Sequence, residues 1–324
     1  MYCAMRNAIK LGIYLILLGC LRGAWLYTSK EEARKEEENE RTRNKITTIT
    51  IGQRRFRIQE SALIEEIKIP EQSFGLLTDT HGDVADVQYF TKEFIKRKVD
   101  GVILTGDIAD MFRWYVTDDG EHVLRVLGET NLPVYVLPGN HDVHRYYTNT
   151  IRKLGREYPN IIDLLRYRRV DAAGINFVSN PYGEGPHYKY SDYVADERKY
   201  DELEKLLCSF SDNDPVVLVT HQPPLCKGKY GVDYTLGEKN EGSQQLAHLM
   251  KKCNVKFSFS GHLHSATNGC TETYEPVPQK QFSPSLLVTP GAVLRHKTRT
   301  GYACNAAIIT VTGKTLMYEL LERD

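Results

Sequence analysis

The amino-acid sequence predicts a layered α/β domain, and three observations support that fold class. Short apolar runs recur along the chain, and each run is bounded by glycine or polar residues. Their apolarity is continuous rather than alternating, which is typical of strands that are buried on both faces of a sheet. Amphipathic helices are predicted between several of these runs, and alternation of strands with helices indicates a layered α/β architecture.

The first residues of the chain differ from the rest. Two basic residues precede Leu11–Leu21, an uncharged apolar run of eleven residues. This run is shorter than the roughly 20 residues of a membrane-spanning helix, but it fits the apolar region of a secretory signal. Extended past Arg22 to Tyr27, the same run becomes a marginal membrane anchor. We therefore interpret residues 1–28 as a signal or anchor segment, and the alternative is a buried first helix of a soluble domain.

Cys20 gives this segment a further interpretation. Leu17–Cys20 resembles the lipobox of bacterial lipoproteins, in which the cysteine is lipidated after cleavage. Residues 29–45 are densely charged, with Ala33 as the one apolar side chain, and this composition predicts a solvated linker. Together these features predict a membrane-associated protein whose folded domain, residues 46–324, lies on the extracytoplasmic side.

From residue 46 onward the pattern is that of one folded domain. Ile46–Ile51 and Arg55–Ile58 alternate in polarity on either side of Gly52 and Gln53, which predicts a β-hairpin. Buried strands are predicted at Phe74–Leu77, Gly101–Leu104, Pro133–Leu137, Val216–Val219, Val255–Phe259 and Leu286–Thr289. Helical spacing of apolar residues predicts helices over Val84–Lys98, Asp201–Phe210 and Ser243–Lys252. Two final strands are predicted at Ala306–Val311 and Leu316–Leu321.

Composition narrows the classes of function. Lysine plus arginine equals aspartate plus glutamate at 42 each, so the formal net charge is zero. No global basic field attracts nucleic acid, which makes a nucleic-acid partner unexpected, although a local basic patch is not excluded. The seven cysteines are scattered and form no C-x-x-C pair, which excludes a zinc knuckle and a disulfide scaffold. Disulfides within the folded domain are compatible with export, but the sequence does not assign their pairing.

Polar side chains follow five of the predicted strands at the points where the strands end. Ligands of open α/β sheets bind beyond the carboxyl ends of the strands, so we expect these side chains to converge. Carboxylate, amide carbonyl and imidazole groups together favour divalent Mn, Fe, Zn or Co, and the absence of thiolates argues against a structural zinc site. The residues are Asp79, His81, Asp107, Asn140, His221, His262 and His264.

The motifs D-x-H, G-D-x-x-D, G-N-H-D, a lone histidine before Pro-Pro, and G-H-x-H occur in that order between Phe74 and Gly291. In this order the chain resembles the calcineurin-like metallophosphoesterase superfamily. The resemblance implies a four-layer αββα sandwich, in which two packed mixed β-sheets are flanked by helices. It also implies a dinuclear metal centre bridged by Asp107. The implied ligands of the first metal are Asp79, His81, Asp107 and His264, and those of the second metal are Asp107, Asn140, His221 and His262.

Such a centre implies a phosphoester hydrolase. Two divalent ions bring four positive charges, and two carboxylates with one bridging hydroxide offset three of them, so the centre stays positive toward phosphate. Metal ions lower the pKa of bound water from about 15.7 to about 7. A metal-bound hydroxide can therefore act as the nucleophile at neutral pH, and the expected substrate is a phosphorylated small molecule or nucleotide-like compound.

Two residues beside the ligands are candidates for catalysis. His141 is the best placed to contact the phosphate and protonate the leaving oxygen. Asp110, three residues after Asp107, matches an aspartate that orients the catalytic histidine in the protein serine/threonine phosphatase branch of the superfamily. The chain departs from that branch after Asp110 and again at Asp142, which argues against a dedicated protein phosphatase. An alternative role for Asp110 is to complement the dipole at the start of a helix.

The remaining polar residues receive structural interpretations. Asp83 and Asp142 are expected to support the loops through hydrogen bonds, while Thr220 and Ser260 simply end strands. Nine tyrosines between the third and fourth motifs are interpreted either as packing residues or as a surface for stacking a nucleobase. Five histidines outside the motifs are interpreted as surface or hydrogen-bonded residues, with His144 also an alternative substrate contact; they are His122, His144, His187, His248 and His296.

Two rival functions remain open at this point. The first is phosphodiesterase or nuclease specificity on the same metal centre, because the motifs serve monoesters and diesters alike. The second is a non-catalytic, metal-binding scaffold of the same fold. Such scaffolds usually lose metal ligands, whereas every expected ligand is present in this chain.

Overall fold

The computed structural model describes residues 47–51, 54–67, 71–110, 114, 117–172, 174–211, 215–297 and 302–323. The predicted signal or anchor segment and the charged linker, residues 1–45, lie outside the described residues. Among the helices of the described ranges, none combines the length and the apolarity needed to cross a bilayer.

Strands and helices alternate along most of the described chain. The strands are β1 (Thr47–Ile51), β2 (Arg54–Gln59), β3 (Ala62–Glu65), β4 (Glu71–Leu77), β5 (Gly101–Thr105), β6 (Val134–Leu137), β7 (Ile161–Asp163), β8 (Arg169–Ala172), β9 (Ile175–Asn180), β10 (Val216–Thr220), β11 (Phe257–Phe259), β12 (Asn268–Cys270), β13 (Leu286–Thr289), β14 (His296–Lys297), β15 (Tyr302–Thr312) and β16 (Thr315–Arg323). The helices are α1 (Val84–Lys96), α2 (Asp119–Gly128), α3 (His144–Glu157), α4 (Glu197–Leu207) and α5 (Gln244–Lys252), with a short 3₁₀ helix at Pro186–Tyr188.

The strands form two mixed sheets. One sheet has the order β1-β2-β3-β8-β9-β10-β11-β13-β12, and the other has the order β14-β15-β4-β5-β6-β7 with β16 also paired to β15. Parallel pairing links β4, β5, β6 and β7 in the second sheet. It likewise links β9, β10, β11 and β13 in the first. The carboxyl ends of the strands within each parallel set therefore point in the same direction.

Three hydrophobic clusters define four layers. The central cluster joins the facing sides of the two sheets, where Leu76 and Ile103 of one sheet share a core with Phe177 and Val217 of the other. A second cluster packs α1, α2 and α3 on the outer face of the β4–β7 sheet. A third packs α4 and α5 on the outer face of the other sheet. The predicted αββα sandwich is confirmed.

The predicted helices form, with small changes at their ends. Helix α1 buries the predicted apolar face and is capped by Asp83, whose side chain accepts a hydrogen bond from the Asp86 amide. Helix α4 begins four residues earlier than predicted because Asp196 caps it by accepting from the Lys199 amide. Helix α5 begins after Ser243, which caps it in the same way. Asp83 therefore supports local structure through a hydrogen bond, as predicted.

The cysteines of the described chain fall into two groups. Cys208 and Cys253, the residues that directly follow α4 and α5, form a disulfide. Cys226, Cys270 and Cys304 are buried free thiols. The disulfide ties together the two helices that cover the outer face of the β9–β13 part of the sheet.

Candidate metal centre

Five parallel strands deliver the predicted ligands to one edge of the sandwich. Asp79 and His81 follow β4, Asp107 follows β5, and Asn140 follows β6. In the other sheet, His221 follows β10 directly, and His262 and His264 follow β11. All seven side chains meet at this edge, in two adjoining clusters.

The first cluster consists of Asp79, His81 and His264. The Nε2 atoms of the two histidines lie 3.0 Å apart, and Asp79 Oδ1 lies 3.3 Å from His264 Nε2 and 3.9 Å from His81 Nε2. Asp79 Oδ1 is buried and has no hydrogen-bond partner among the described residues. A buried carboxylate oxygen without a donor is costly, so a cation between these three atoms suits the donor set.

The other oxygen of Asp79 is fixed in place. Asp79 Oδ2 accepts hydrogen bonds from Thr78 Oγ1 at 2.6 Å and from the His262 amide at 2.8 Å. This arrangement turns Oδ1 toward His81 and His264. Outer partners that orient a ligand in this way are typical of metal sites.

The second cluster consists of Asp107, His221 and His262. His221 Nε2 lies 3.2 Å from Asp107 Oδ2 and 3.0 Å from Asn140 Oδ1. His221 Nδ1 donates to the Thr105 carbonyl at 2.8 Å, which directs Nε2 into the cluster. Imidazole, carboxylate and amide oxygen are suitable ligands for a borderline divalent metal, so these residues could hold a second ion.

Asp107 lies between the two clusters. Its Oδ2 atom is 3.2 Å from His221 Nε2 of the second cluster and 3.9 Å from His81 Nε2 of the first. Its Oδ1 atom accepts a hydrogen bond from the His141 amide at 2.8 Å. One carboxylate therefore faces both clusters, which is the position that the sequence resemblance implies for a bridging ligand.

The backbone is strained where it presents the ligands. Asp79, His81, Asp107 and His262 have φ angles of 51°, 42°, 50° and 70°, in the left-handed region that residues other than glycine seldom occupy. Such strain clusters at functional sites, where the surrounding structure enforces it. Gly261, which precedes one of these residues, cannot be replaced without a shift, because an added Cβ would lie 1.7 Å from Thr78 Oγ1.

Two histidines of the centre, His81 and His221, have raised pKa values. Burial lowers the pKa of His81, but its hydrogen bond to Asp110 and the charges of Asp107 and Asp79 outweigh burial and raise that pKa to about 9. Burial likewise opposes protonation of His221, and the charges of Asp107 and Asp79 raise its pKa to about 9. The protonated histidines thus offset the buried carboxylates, and a bound cation would take over that role.

The same charges shift the pKa values of Asp107 and His262. Burial raises the pKa of the Asp107 carboxyl, but the charge of His221 and its hydrogen bond bring that pKa down to about 2. Burial and the positive charge of His221 lower the pKa of His262 to about 3. His262 is therefore neutral at pH 7, which is the form in which imidazole binds a metal.

Asp110 connects the first cluster to His141. Its Oδ1 atom lies 2.7 Å from His81 Nδ1 and 3.2 Å from His141 Nδ1. The hydrogen bond to Asp110 raises the pKa of His141. His141 is half exposed, with 48% of its side chain accessible, so it can meet a molecule that enters from solvent.

Asp142 supports the loops that carry the ligands, as predicted. It is buried and accepts hydrogen bonds from the amides of Ile108 and Gly139 and from the Trp114 indole. Burial and the neighbouring charge of Asp107 raise its pKa to about 6. Asp142 therefore links the loop after β5 to the loop after β6.

His187 is a surface residue, as predicted, but it lies near the centre, and the sequence interpretation gave it no role there. It is exposed, and its ring centroid lies 5.2 Å from that of His262. Beneath it, the buried Tyr188 ring lies 5.6 Å from His262. His187 reaches the rim through the short 3₁₀ helix in the connection from β9 to α4, and no motif in the sequence marks it. His144, by contrast, begins α3 and contacts Tyr193 rather than the clusters.

Comparisons with known proteins agree with this fold. The profile of the calcineurin-like phosphoesterases matches residues 73–266, which is more than half of the 324 residues. The chain therefore belongs to the calcineurin-like phosphoesterase family. It is a phosphoester hydrolase, and its Asp and His clusters suit a divalent metal centre.

The individual relatives have low sequence identity to this chain. The chain is 27% identical over 196 residues to a probable cyclic nucleotide phosphodiesterase of Fibrobacter succinogenes. The alignment covers 59% of this chain and 70% of the relative. It is 26% identical over 175 residues to a glycerophosphodiester phosphodiesterase of Enterobacter lignolyticus. That alignment covers 53% of this chain and 59% of the relative, which is less than two thirds of the relative's length. A solved structure superposes with a TM-score of 0.59 at 15% identity, covering 77% of this chain and 98% of that chain. This superposition shows a shared fold.

Divalent cation binding to the metal-free protein is expected to release protons at pH 7. His81 and His221, each with a pKa near 9, are protonated at that pH and must lose the proton to bind a metal. Metal affinity is therefore expected to rise between pH 7 and 9 and to fall in acid. Calorimetric titration with Mn²⁺ in two buffers of different ionisation enthalpy measures the release. The exposed His248→Gln variant is the control, and identical apparent enthalpies in both buffers would contradict the expectation.

Proposed function

We propose that the protein is a phosphodiesterase that works with a dinuclear metal centre. The observation that carries the proposal is the pair of ligand clusters that share the Asp107 carboxylate at one edge of the sandwich. The names of two curated relatives support diesters as the substrate class. Asp79, His81, Asp107 and His264 would hold one ion, and Asp107, Asn140, His221 and His262 the other.

Bound at these residues, two ions would supply Lewis acidity, which would polarise the phosphate and lower the pKa of a water molecule that could serve as the nucleophile. Mn, Fe, Zn and Co all suit the nitrogen and oxygen donors of the site. The protein's own contribution is to hold the donors rigidly and to position groups that act on the substrate. The left-handed residues and the Asp142 hydrogen bonds serve the first task.

His141 and Asp110 are the groups positioned to act on the substrate. The leaving alkoxide needs a proton, and a half-exposed histidine with a raised pKa beside the clusters can supply one. Asp110 faces His141 Nδ1, which leaves Nε2 as the ring nitrogen that would meet a substrate oxygen. Asp110 thus acts as a positioning residue that fixes the histidine ring and stabilises its protonated form. Its contacts with two histidines favour this role over that of a helix-start carboxylate.

A purified protein loaded with Mn²⁺ is expected to hydrolyse bis(p-nitrophenyl) phosphate faster than p-nitrophenyl phosphate. Chelation should abolish both activities. The Asp107→Asn variant should lose turnover together with metal content, because the shared carboxylate faces both clusters. Release of p-nitrophenolate and metal analysis by mass spectrometry are the measurements.

Each contrary result has a distinct meaning. Faster hydrolysis of the monoester would overturn the diester preference and leave the metal centre in place. A wild-type protein that binds two ions and hydrolyses neither ester would instead favour the non-catalytic scaffold. Cleavage of polynucleotides in preference to small diesters would favour a nuclease.

Replacing His141 with alanine is expected to lower kcat by about 10²- to 10⁴-fold, the usual contribution of a general acid, while both metals are retained. The loss should be smaller for an ester with an acidic nitrophenol leaving group than for an alkyl ester, because nitrophenolate leaves without a proton. His144→Ala, three residues away at the exposed start of α3, is the matched control. Loss of both metals in the His141 variant, or an equal loss of rate for both leaving groups, would contradict the role.

We propose further that residues 1–28 tether the domain to a membrane, with or without lipidation at Cys20, on the extracytoplasmic side. The apolar run in the sequence supports the tether, and the Cys208–Cys253 disulfide is the kind of bond that persists in oxidising compartments. Full-length protein is expected in the membrane fraction, and a chain that starts at Ser29 in the soluble fraction. Equal distribution of the two chains between fractions would contradict the tether.

A further inference from the structure

The connection from β9 to α4, residues 181–196, is attached to two segments that carry residues of the metal centre. The Glu184 amide donates a hydrogen bond to Gln222 Oε1 at 2.9 Å, and Gln222 Nε2 donates to the Glu184 carbonyl at 3.1 Å. Gln222 directly follows a predicted ligand. Near the other end of the connection, Asp192 Oδ2 accepts a hydrogen bond from the His144 amide at 2.9 Å. Both ends are therefore held in place, and the short 3₁₀ helix lies between them.

Tyr188 packs the 3₁₀ helix against the second cluster. Its side chain is fully buried, and its ring centroid lies 5.6 Å from that of His262. Gly183 leaves the room that the ring occupies, since an added Cβ would lie 2.3 Å from Tyr188 Cζ. Successive side chains of a 3₁₀ helix point about 120° apart, because each turn has three residues. The buried Tyr188 therefore leaves His187 at the surface, with its ring 5.2 Å from that of His262 and inclined to it by 78°.

The His187 imidazole is available to a ligand. Within the described ranges it forms no hydrogen bond and no ion pair, and it is exposed. Tyr188 already packs against His262 from inside the fold, so the exposed ring is not needed to fill space there. A neutral imidazole has one N–H donor and one acceptor nitrogen. An exposed donor beside a predicted metal ligand can therefore meet a group that binds to the metal.

Each ligand cluster has one exposed histidine beside it. His141 contacts the first cluster, with its ring 5.1 Å from that of His81 and inclined by 79°. His187 contacts the second cluster through His262 at nearly the same distance and angle. Asp110 lies 3.2 Å from His141, whereas no carboxylate of the described ranges pairs with His187. The two histidines therefore suit different tasks: the partnered one suits proton transfer, and the unpartnered one suits binding through its N–H group.

We propose that His187 is a substrate-binding residue, which donates a hydrogen bond to a phosphate oxygen on the side of the second cluster. The inference rests on the proposed function for the position of the phosphate, and it adds a residue that none of the motifs contains. His262 is a proposed ligand of the second ion, so a ring 5.2 Å from His262 is near enough to meet a phosphate bound there. Hydrogen bonds to an ionised oxygen are roughly twice as strong as those between neutral groups.

The kinetic test uses the Mn²⁺-loaded protein and bis(p-nitrophenyl) phosphate. His187→Ala is expected to raise KM by about tenfold and to leave kcat within about twofold, because a hydrogen bond to an oxygen that does not react is made equally in the ground state and the transition state. His187→Gln should recover most of the loss, since its amide keeps an N–H donor. His122→Ala on α2 is the matched control, with 57% of that histidine side chain accessible. An unchanged KM in His187→Ala would overturn the inference and leave the proposed phosphodiesterase intact.

Metal content separates substrate binding from support of His262. His187→Ala is expected to retain as much Mn²⁺ as the wild-type protein, measured by mass spectrometry, because His187 is not a member of either cluster. Loss of an ion together with the rise in KM would assign His187 to the positioning of His262. That result would overturn the inference.

A binding measurement separates this inference from the proposed function. Calorimetric titration with inorganic phosphate needs no hydrolysis, so it tests His187 even if no ester is cleaved and the proposed function fails. The Mn²⁺-loaded wild-type protein is expected to bind phosphate about tenfold more tightly than His187→Ala, the effect of one hydrogen bond to a charged group. His122→Ala should match the wild type. Equal affinities of the wild type and His187→Ala would overturn the inference.

Discussion

The structure depends on a concentration of buried charge at one edge of the sandwich. Asp79 and Asp107 are almost fully buried, and burial alone would favour their neutral forms. The surrounding imidazoles keep both carboxylates ionised, and Asp79 Oδ1 still faces the cluster without a hydrogen-bond donor. A divalent cation is the group that balances such a site best, because it supplies positive charge and accepts lone pairs from oxygen and nitrogen together.

The fold supplies the rigidity that this balance requires. The residues of the first cluster come from loops after strands of different sheets, so the shared core between the sheets fixes the distance between Asp79 and His264. Asp142 holds the loops after β5 and β6 together, and left-handed residues aim the ligands inward. Loss of packing between the sheets would therefore disturb the site even where no ligand is replaced.

Complete burial made several strands easy to predict from the sequence. Strands β5, β6 and β10 are buried at every position, so they stand out as continuous apolar runs. Strand β8 buries alternate residues over only four positions, which is too short for a clear pattern, and it was not predicted. Burial alone does not decide which helices can be predicted, because α2 buries Val123, Leu124 and Leu127 and was not predicted either.

Local motifs were enough to predict that the metal-site residues converge. Each predicted ligand lies within five residues of the end of a strand, and the direction of the parallel strands brings these ends to one edge. His187 reaches the centre differently, through the long connection from β9 to α4, and its position beside His262 is set by the fold rather than by a motif. A chain can change such a connection without moving any strand end, so residues at the rim of the centre can differ while the seven predicted ligands stay in place.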